Sequence, residues 1–206
     1  MKATIDEADI PGIGSQAPDL ELVDTEGNPV HLSTFWRERP LALVFLRHLS
    51  CTFCQQQLAW LKRDRAKFAA AGVDIVCVAQ GDAKVGKAYA ILYDLHFPLL
   101  LCGNDLSAYR RYGLGLGTSL QLLHPRLLFR GLVSFLQGFV QTKVEGKGSQ
   151  LGGGFVIDTS GYIRYLYRSH DASDTVRNEE LLAAAAGCAS STSAAAGIAG
   201  DSQVSR

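Results

Sequence analysis

The stretch "LALVFLRHLSCTFCQQQLAWL", residues 41–61, narrows the choice of fold more than any other part of the chain. An unbroken apolar run of strand length comes first, of the kind buried on both faces of a sheet. Cys51 and Cys54 follow at once, two residues apart. From Gln55 the apolar period becomes helical, with Leu58, Leu61, Arg65 and Phe68 on one face and Gly72 as the stop. A strand therefore delivers two thiols to the N-terminus of a helix.

The same alternation continues. "VDIVCVAQG" (73–81) reads as a buried strand, and "DAKVGKAYAILYDL" as a helix capped by Asp82 with Val85, Ala88, Leu92 and Leu95 inward. "FPLLLCG" is a further strand, and "NDLSAYRRYGL" a short helix ended by Gly113. Strands alternating with helices imply crossovers and a largely parallel sheet. Before the cysteines, "DLELVDTEGNPVHLSTF" reads as strand, turn and strand; after them, "GFVIDTSGYIRYLYRS" (154–169) reads as a hairpin. Residues 114–150 break the rhythm with a glycine-rich lead and an apolar stripe at Leu128, Leu132, Phe135 and Phe139. The stripe is too short for a membrane span, and Arg130 lies within it. It is expected to be a helix packed on the domain, a lid or a docking face. Residues 1–14 read as an arm, 15–186 as one domain with a last helix from about Thr175 to Ala186, and 187–206 as a disordered tail of small residues.

Composition excludes several classes. Twenty basic residues balance twenty acidic ones, so no global field recruits nucleic acid or an anionic membrane. "MKATIDEADIPG" lacks the apolar run of a signal peptide and the acid-poor character of a transit peptide, so a cytoplasmic location is expected. Five scattered cysteines are not a secreted disulfide framework. Cys77 is expected to be a buried, inert thiol; Cys102 a buried thiol or a third redox group; Cys188 a tail thiol and, less readily, a distant resolving cysteine.

Three chemistries compete for Cys51 and Cys54. A structural zinc site needs four ligands, and there is no second cysteine pair; His31, His96, His124 and His170 lack ligand spacing. Haem attachment needs histidine where Gln55 stands. A redox pair fits, because backbone N–H groups and the helix dipole at a helix start favour thiolate, the reactive form. Two-residue spacing lets one sulfur reach the other, so the pair can cycle between dithiol and disulfide. No metal and no cofactor are expected. Arg47 is a candidate for lowering a thiol pKa. His48 stands as a catalytic base or electropositive neighbour, or as a hydrogen-bonded strand-end histidine; both readings stay open.

"FLRHLSCTFC" with its helix, "FPLLLCGNDLSAYRRYGLG" and "SQLGGGFVIDTSGYIRYLYR", in that order, resemble the peroxiredoxin-like proteins of the alkyl hydroperoxide reductase/thiol-specific antioxidant (AhpC/TSA) superfamily over residues 15–182. The resemblance implies a thioredoxin-like α/β fold: a central mixed sheet flanked by helices, with a helical insertion before the late hairpin. It implies an antioxidant thiol peroxidase or thiol–disulfide oxidoreductase acting on peroxides or disulfides, with a thioredoxin- or glutathione-type electron donor and no nucleic-acid or membrane partner. The catalytic residues it points to are Cys51, Cys54, Arg47 and His48. The alternative is a non-catalytic regulatory module of the same fold, docking through the 125–140 helix.

Two departures from the superfamily pattern matter. In its register the peroxidatic cysteine falls at Cys54, with Arg47 where proline stands and Cys51 where threonine stands. The superfamily's late arginine falls at about Gly152, and the glycines there are expected to let backbone approach the sulfurs. Thioredoxin-like logic makes the first cysteine the nucleophile instead. Cys51 is expected in a solvent-reached loop and Cys54 in the first helical turn, partly covered. This reading therefore takes Cys51 as nucleophile and Cys54 as resolver.

Overall fold

The computed structural model describes residues 10–117 and 146–197, with side chains as far as Cys188. A seven-stranded sheet runs through the described residues in the order β2-β1-β5-β4-β3-β6-β7. The strands are β1 (Glu21–Val23), β2 (Pro29–His31), β3 (Leu41–Phe45), β4 (Asp74–Ala79), β5 (Leu99–Leu101), β6 (Gly153–Ile157) and β7 (Ile163–Arg168). The helices are α1 (Thr52–Ala70), α2 (Ala83–Leu92), α3 (Ser107–Arg111) and α4 (Asn178–Gly197), with a 3-10 helix at Leu32–Trp36.

The sheet is mixed. Only β3–β4 and β4–β5 are parallel, the pairs joined through α1 and α2. β1–β2, β1–β5, β3–β6 and β6–β7 are antiparallel. The largely parallel sheet expected from strand–helix alternation is thus confined to three strands, and the mixed sheet implied by the family resemblance is the one present. Two elements joined by tight turns, rather than by helices, supply the antiparallel flanks.

Strand β3 is buried along its whole length because the sheet is covered on both faces. Its alternation divides the interior in two. Ala42 and Val44 face a cluster with Leu58, Leu61 and Phe68 of α1 and Leu181 and Ala185 of α4. Leu41, Leu43 and Phe45 face one with Tyr109 and Tyr112. The rings of Phe45 and Tyr112 lie 4.9 Å apart, and those of Phe45 and Tyr109 5.3 Å.

Three helix details differ from the periodicity. On α1 the inward residue of the fourth turn is Asp64, at 2% exposure, whereas Arg65 is exposed. Asp64 lies within ion-pair distance of Arg63 and Lys67, and it accepts from Asn178 Nδ2 at 2.9 Å, which ties α1 to α4. On α2, Asp82 caps as expected, accepting from the Val85 N–H. The buried residue there is Gly86, pressed on Leu101, while Ala88 and Leu92 face outward. Helix α4 does not stop at Ala186. It runs to Gly197 through an alanine-rich stretch of high helix propensity, and Cys188 is packed into the core at 3% exposure. The tail expected from residue 187 is helix as far as residue 197; the later residues, the arm through residue 9 and the 125–140 stripe lie outside the described residues. Among the described residues, no helix is long and apolar enough to cross a membrane, and no cluster of three or more His, Cys, Asp or Glu could hold a metal.

Candidate functional site

At the end of β3 the chain leaves the sheet, and its main-chain groups must find other partners. The Leu46 N–H still donates to the Val78 carbonyl, the last rung of the ladder. Beyond it, the Leu46 carbonyl accepts from the Tyr109 hydroxyl at 2.5 Å. The Arg47 N–H donates to Cys54 Sγ at 3.2 Å. The Arg47 carbonyl accepts from the Gln80 side-chain amide, whose oxygen in turn accepts from the Lys147 N–H at 2.7 Å. Side chains thus take the Leu46 carbonyl and both main-chain groups of Arg47, which holds the strand end over the helix start.

Cys51 is the N-cap of α1, in extended conformation (φ −76°, ψ 127°). Cys54 sits one turn on, inside the helix. Both are free thiols in this structure. Arg47 bridges the site. Its Nη1 lies 3.3 Å from Cys51 Sγ, and the guanidinium also donates to the carbonyls of Gly148, Gln150 (2.9 Å, from Nε) and Ala172 (3.4 Å). One buried cation thus holds the nearer sulfur and fastens two loops, 146–151 and 169–175, over it.

The two thiols are driven in opposite directions. Cys54's S–H donates toward Cys51, the Arg47 charge lies beside it, and the Cys54 and Phe53 N–H groups favour its anion. Together they outweigh burial and bring Cys51 down to about 6. Burial drives Cys54 well up, and the hydrogen bond to Cys51 and the anion forming there add to the rise, opposed by the His48 main chain and the Arg47 charge. The surroundings favour the anion on Cys51 over that on Cys54, the division of labour that an attacking and a resolving sulfur require.

Cys51 and Cys54 are each 4% exposed. The expected solvent-reached loop at Cys51 is therefore absent, because Arg47 draws loops 146–151 and 169–175 across it. Access does not separate the two cysteines, since both are equally covered. A cavity of about 20 Å³ touches Cys54, Arg47, Gly152 and Val176, room for one water-sized group.

The His48 carbonyl accepts from the Cys51 N–H at 3.2 Å. Its ring is buried and its Nδ1 lies 2.8 Å from Ser50 Oγ. Burial, with Arg47 adjacent, lowers its pKa to about 4. That disfavours the role of electropositive neighbour, while a neutral ring is compatible both with a base and with a hydrogen-bonded strand-end histidine. Cys77 lies in the core, where burial drives its pKa far up, and burial of the half-buried Cys102 raises its thiol to about 12. Burial raises Cys188 as well.

The glycines at the start of β6 serve packing. A Cβ on Gly152 would lie 2.4 Å from the Phe45 carbonyl, one on Gly153 2.6 Å from the Tyr167 carbonyl, and one on Gly154 2.6 Å from Val176. No side chain fits at residue 152, and Arg47 supplies the cation from the opposite strand. Sequence reasoning missed Gln80, Gln150 and Tyr109. Gln150, 1% exposed, donates to the carbonyls of Leu114, Gly115 and Leu151. The available signal was a glutamine closing an apolar run, as in "VDIVCVAQ".

A mixed sheet with flanking helices, and two unequal thiols where its central strand meets a helix, define a thioredoxin-fold thiol oxidoreductase. The chain belongs to the AhpC/TSA family, whose model matches residues 13–166. It is similar to the thioredoxin-like protein AAED1, chloroplastic, of Arabidopsis thaliana, 25% identical over 186 residues covering 84% of this chain and 74% of that protein. It is also similar to peroxiredoxin Q, chloroplastic, of Sedum lineare, 33% identical over 87 residues, 42% of this chain and 46% of that one. The crystal structure of peroxidoxin BcpB from Mycobacterium tuberculosis shares the fold, with a TM-score of 0.64 at 18% identity over 86% of this chain and 97% of that one. A peroxiredoxin-like protein from Aquifex aeolicus does too, with a TM-score of 0.60 at 14% identity over 84% and 85%.

Proposed function

We propose that the protein is a dithiol peroxidase in which Cys51 attacks and Cys54 resolves. The observation that carries this reading is the placement of Arg47: its guanidinium lies on Cys51 Sγ while its main-chain N–H lies on Cys54 Sγ. The cation favours a resting thiolate on Cys51. That thiolate attacks one oxygen of the peroxide, and the O–O bond breaks. The leaving oxygen takes a proton and departs as water or alcohol, and Cys51 becomes a sulfenic acid. Cys54 then loses its proton and attacks the Cys51 sulfur. An S–S bond forms, and the sulfenic oxygen leaves as water with that proton. A dithiol donor of thioredoxin type, or two glutathione thiols, returns two electrons and two protons and is itself oxidised to a disulfide.

Because both sulfurs are covered, substrate entry requires loops 146–151 and 169–175 to part where Arg47 fastens them. A small peroxide suits such an opening better than a folded protein disulfide, and the peroxiredoxin relatives favour the same substrate class. A cytoplasmic location stays part of the proposal; the two plant relatives bear names marked chloroplastic, and cell fractionation decides the point.

The test is stopped-flow mixing of the reduced protein with hydrogen peroxide, followed by non-reducing peptide mapping. Rapid consumption of one equivalent with a Cys51–Cys54 disulfide supports the proposal. Slow consumption, or oxidation at Cys77 or Cys102 with both candidates free, overturns it.

A further inference from the structure

The peptide unit joining Leu46 to Arg47 is engaged at both ends. Its carbonyl accepts from the Tyr109 hydroxyl and its N–H donates to Cys54 Sγ. Neither bond is part of the sheet. Tyr109 is 0% exposed, so its hydroxyl has no bulk water as an alternative partner. The Gln80 side chain grips the next carbonyl, that of Arg47.

Donation to a peptide carbonyl draws electron density toward oxygen, which makes the N–H of the same peptide a better donor. The chain runs from the Tyr109 hydroxyl, through the Leu46–Arg47 peptide, to the Cys54 sulfur. We infer that Tyr109 is a positioning residue for the redox pair: through this peptide it aims and strengthens the N–H that stabilises negative charge on Cys54. The inference rests on the proposed function, in which Cys54 carries that charge when it attacks the sulfenic acid. It does so again as leaving group if the donor attacks Cys51.

Tyr112 is the natural control. It lies three residues on, is equally buried and packs on the same Phe45 ring, but its hydroxyl donates to the Pro18 carbonyl at 2.8 Å, away from the site. A merely structural role predicts that Tyr109→Phe and Tyr112→Phe behave alike.

In a Cys51→Ser background, the reduced protein is treated with methyl methanethiosulfonate at fixed pH, and modification at Cys54 is followed by mass spectrometry. The Cys54 thiolate displaces methanesulfinate and forms a methyl disulfide. Well below the thiol's pKa, the loss of thiolate outweighs the partial gain in nucleophilicity, so a higher pKa still slows the reaction. Tyr109→Phe is expected to slow it about three- to tenfold, the weight of part of one charge-assisted hydrogen bond. Tyr112→Phe is expected to stay within about twofold of its parent. Equal slowing in the two variants, or no slowing in Tyr109→Phe, overturns the inference. If Tyr109→Phe lacks a cooperative melt, 3-fluorotyrosine placed at residue 109 keeps the ring and gives a stronger donor. Faster modification then supports the inference, and an unchanged or slower rate overturns it. No peroxide enters this assay, so a protein inert to peroxide would refute the proposed function without touching this result.

Discussion

Replacing Arg47 by methionine removes the cation and keeps most of the aliphatic stem. In the wild type the guanidinium lies 3.3 Å from Cys51 Sγ, with little solvent between them. An opposite charge at such range shifts a pKa by about one to three units. Starting from about 6, the Cys51 midpoint is expected to rise to about 7–9. At pH 7 the thiolate share then falls from about nine-tenths to between one-half and one-hundredth. The rate at pH 7 is nevertheless a poor readout, because a more basic thiolate is intrinsically more nucleophilic and the two effects oppose each other. The informative assay is the pH dependence of the stopped-flow peroxide reaction, whose rising limb moves with the Cys51 midpoint. Arg47→Lys keeps a charge but loses the fork, so its midpoint is expected to lie between the other two. Both variants also leave carbonyls of Gly148, Gln150 and Ala172 without their donor, at about 1–3 kcal/mol for each one that stays buried. A rising limb that stays in place in Arg47→Met, with the fold intact, refutes the electrostatic account of Cys51.

Other outcomes follow from the same coordinates. Gly152→Ala places a Cβ 2.4 Å from the Phe45 carbonyl; because backbone must move, the melting temperature is expected to fall and Cys51 reactivity with it, measured by calorimetry and peroxide kinetics. Leu58→Ala opens a cavity under the first turns of α1 and should cost about 2–5 kcal/mol in denaturant unfolding. The Asp64 pKa is lowered in the folded state, chiefly by Arg63 and further by Lys67 and Asn178. Its stabilising contribution is therefore complete above the unfolded carboxylate value of about 4 and is lost as pH falls from there toward the lowered one; Asp64→Asn should reduce the melting temperature at neutral pH and flatten this acid limb. Deleting residues 187–206 should lower the melting temperature, because it removes the buried Cys188 and the last turns of α4; an unchanged melt shows that these turns contribute nothing.

Periodicity made the main elements legible. The runs at 41–49, 73–81 and 154–169 became β3, β4 and the β6–β7 hairpin, and the CxxC fell where strand meets helix. Strand direction was less legible, since antiparallel flanks are set by tertiary pairing. The inward faces of α1 and α2 were misread at Asp64 and Gly86. A buried carboxylate satisfied by three partners looks polar in sequence, and a glycine's value lies in a neighbour's approach that no pattern records. Helix α4 was cut short at Gly187 because small residues were taken for tail. In the site, Cys51, Cys54 and Arg47 came together as the sequence suggested, and the His48 ring is held by Ser50. Tyr109, Gln80 and Gln150 were invisible because each side chain reaches main-chain groups 33 to 63 residues away along the chain. The burial of Cys51 was hidden for the same reason: two loops distant in sequence close over it.

The central claim is that Cys51, not Cys54, is the attacking sulfur. The direct measurement is stopped-flow reaction of the reduced Cys51→Ser and Cys54→Ser variants with hydrogen peroxide at neutral pH, with dimedone present to trap sulfenic acid for peptide mapping. Cys54→Ser should react rapidly and accumulate the adduct at Cys51, while Cys51→Ser should be slow. Rapid reaction in Cys51→Ser with the adduct at Cys54, and a slow Cys54→Ser, would contradict the account and place the attacking sulfur one turn further into α1.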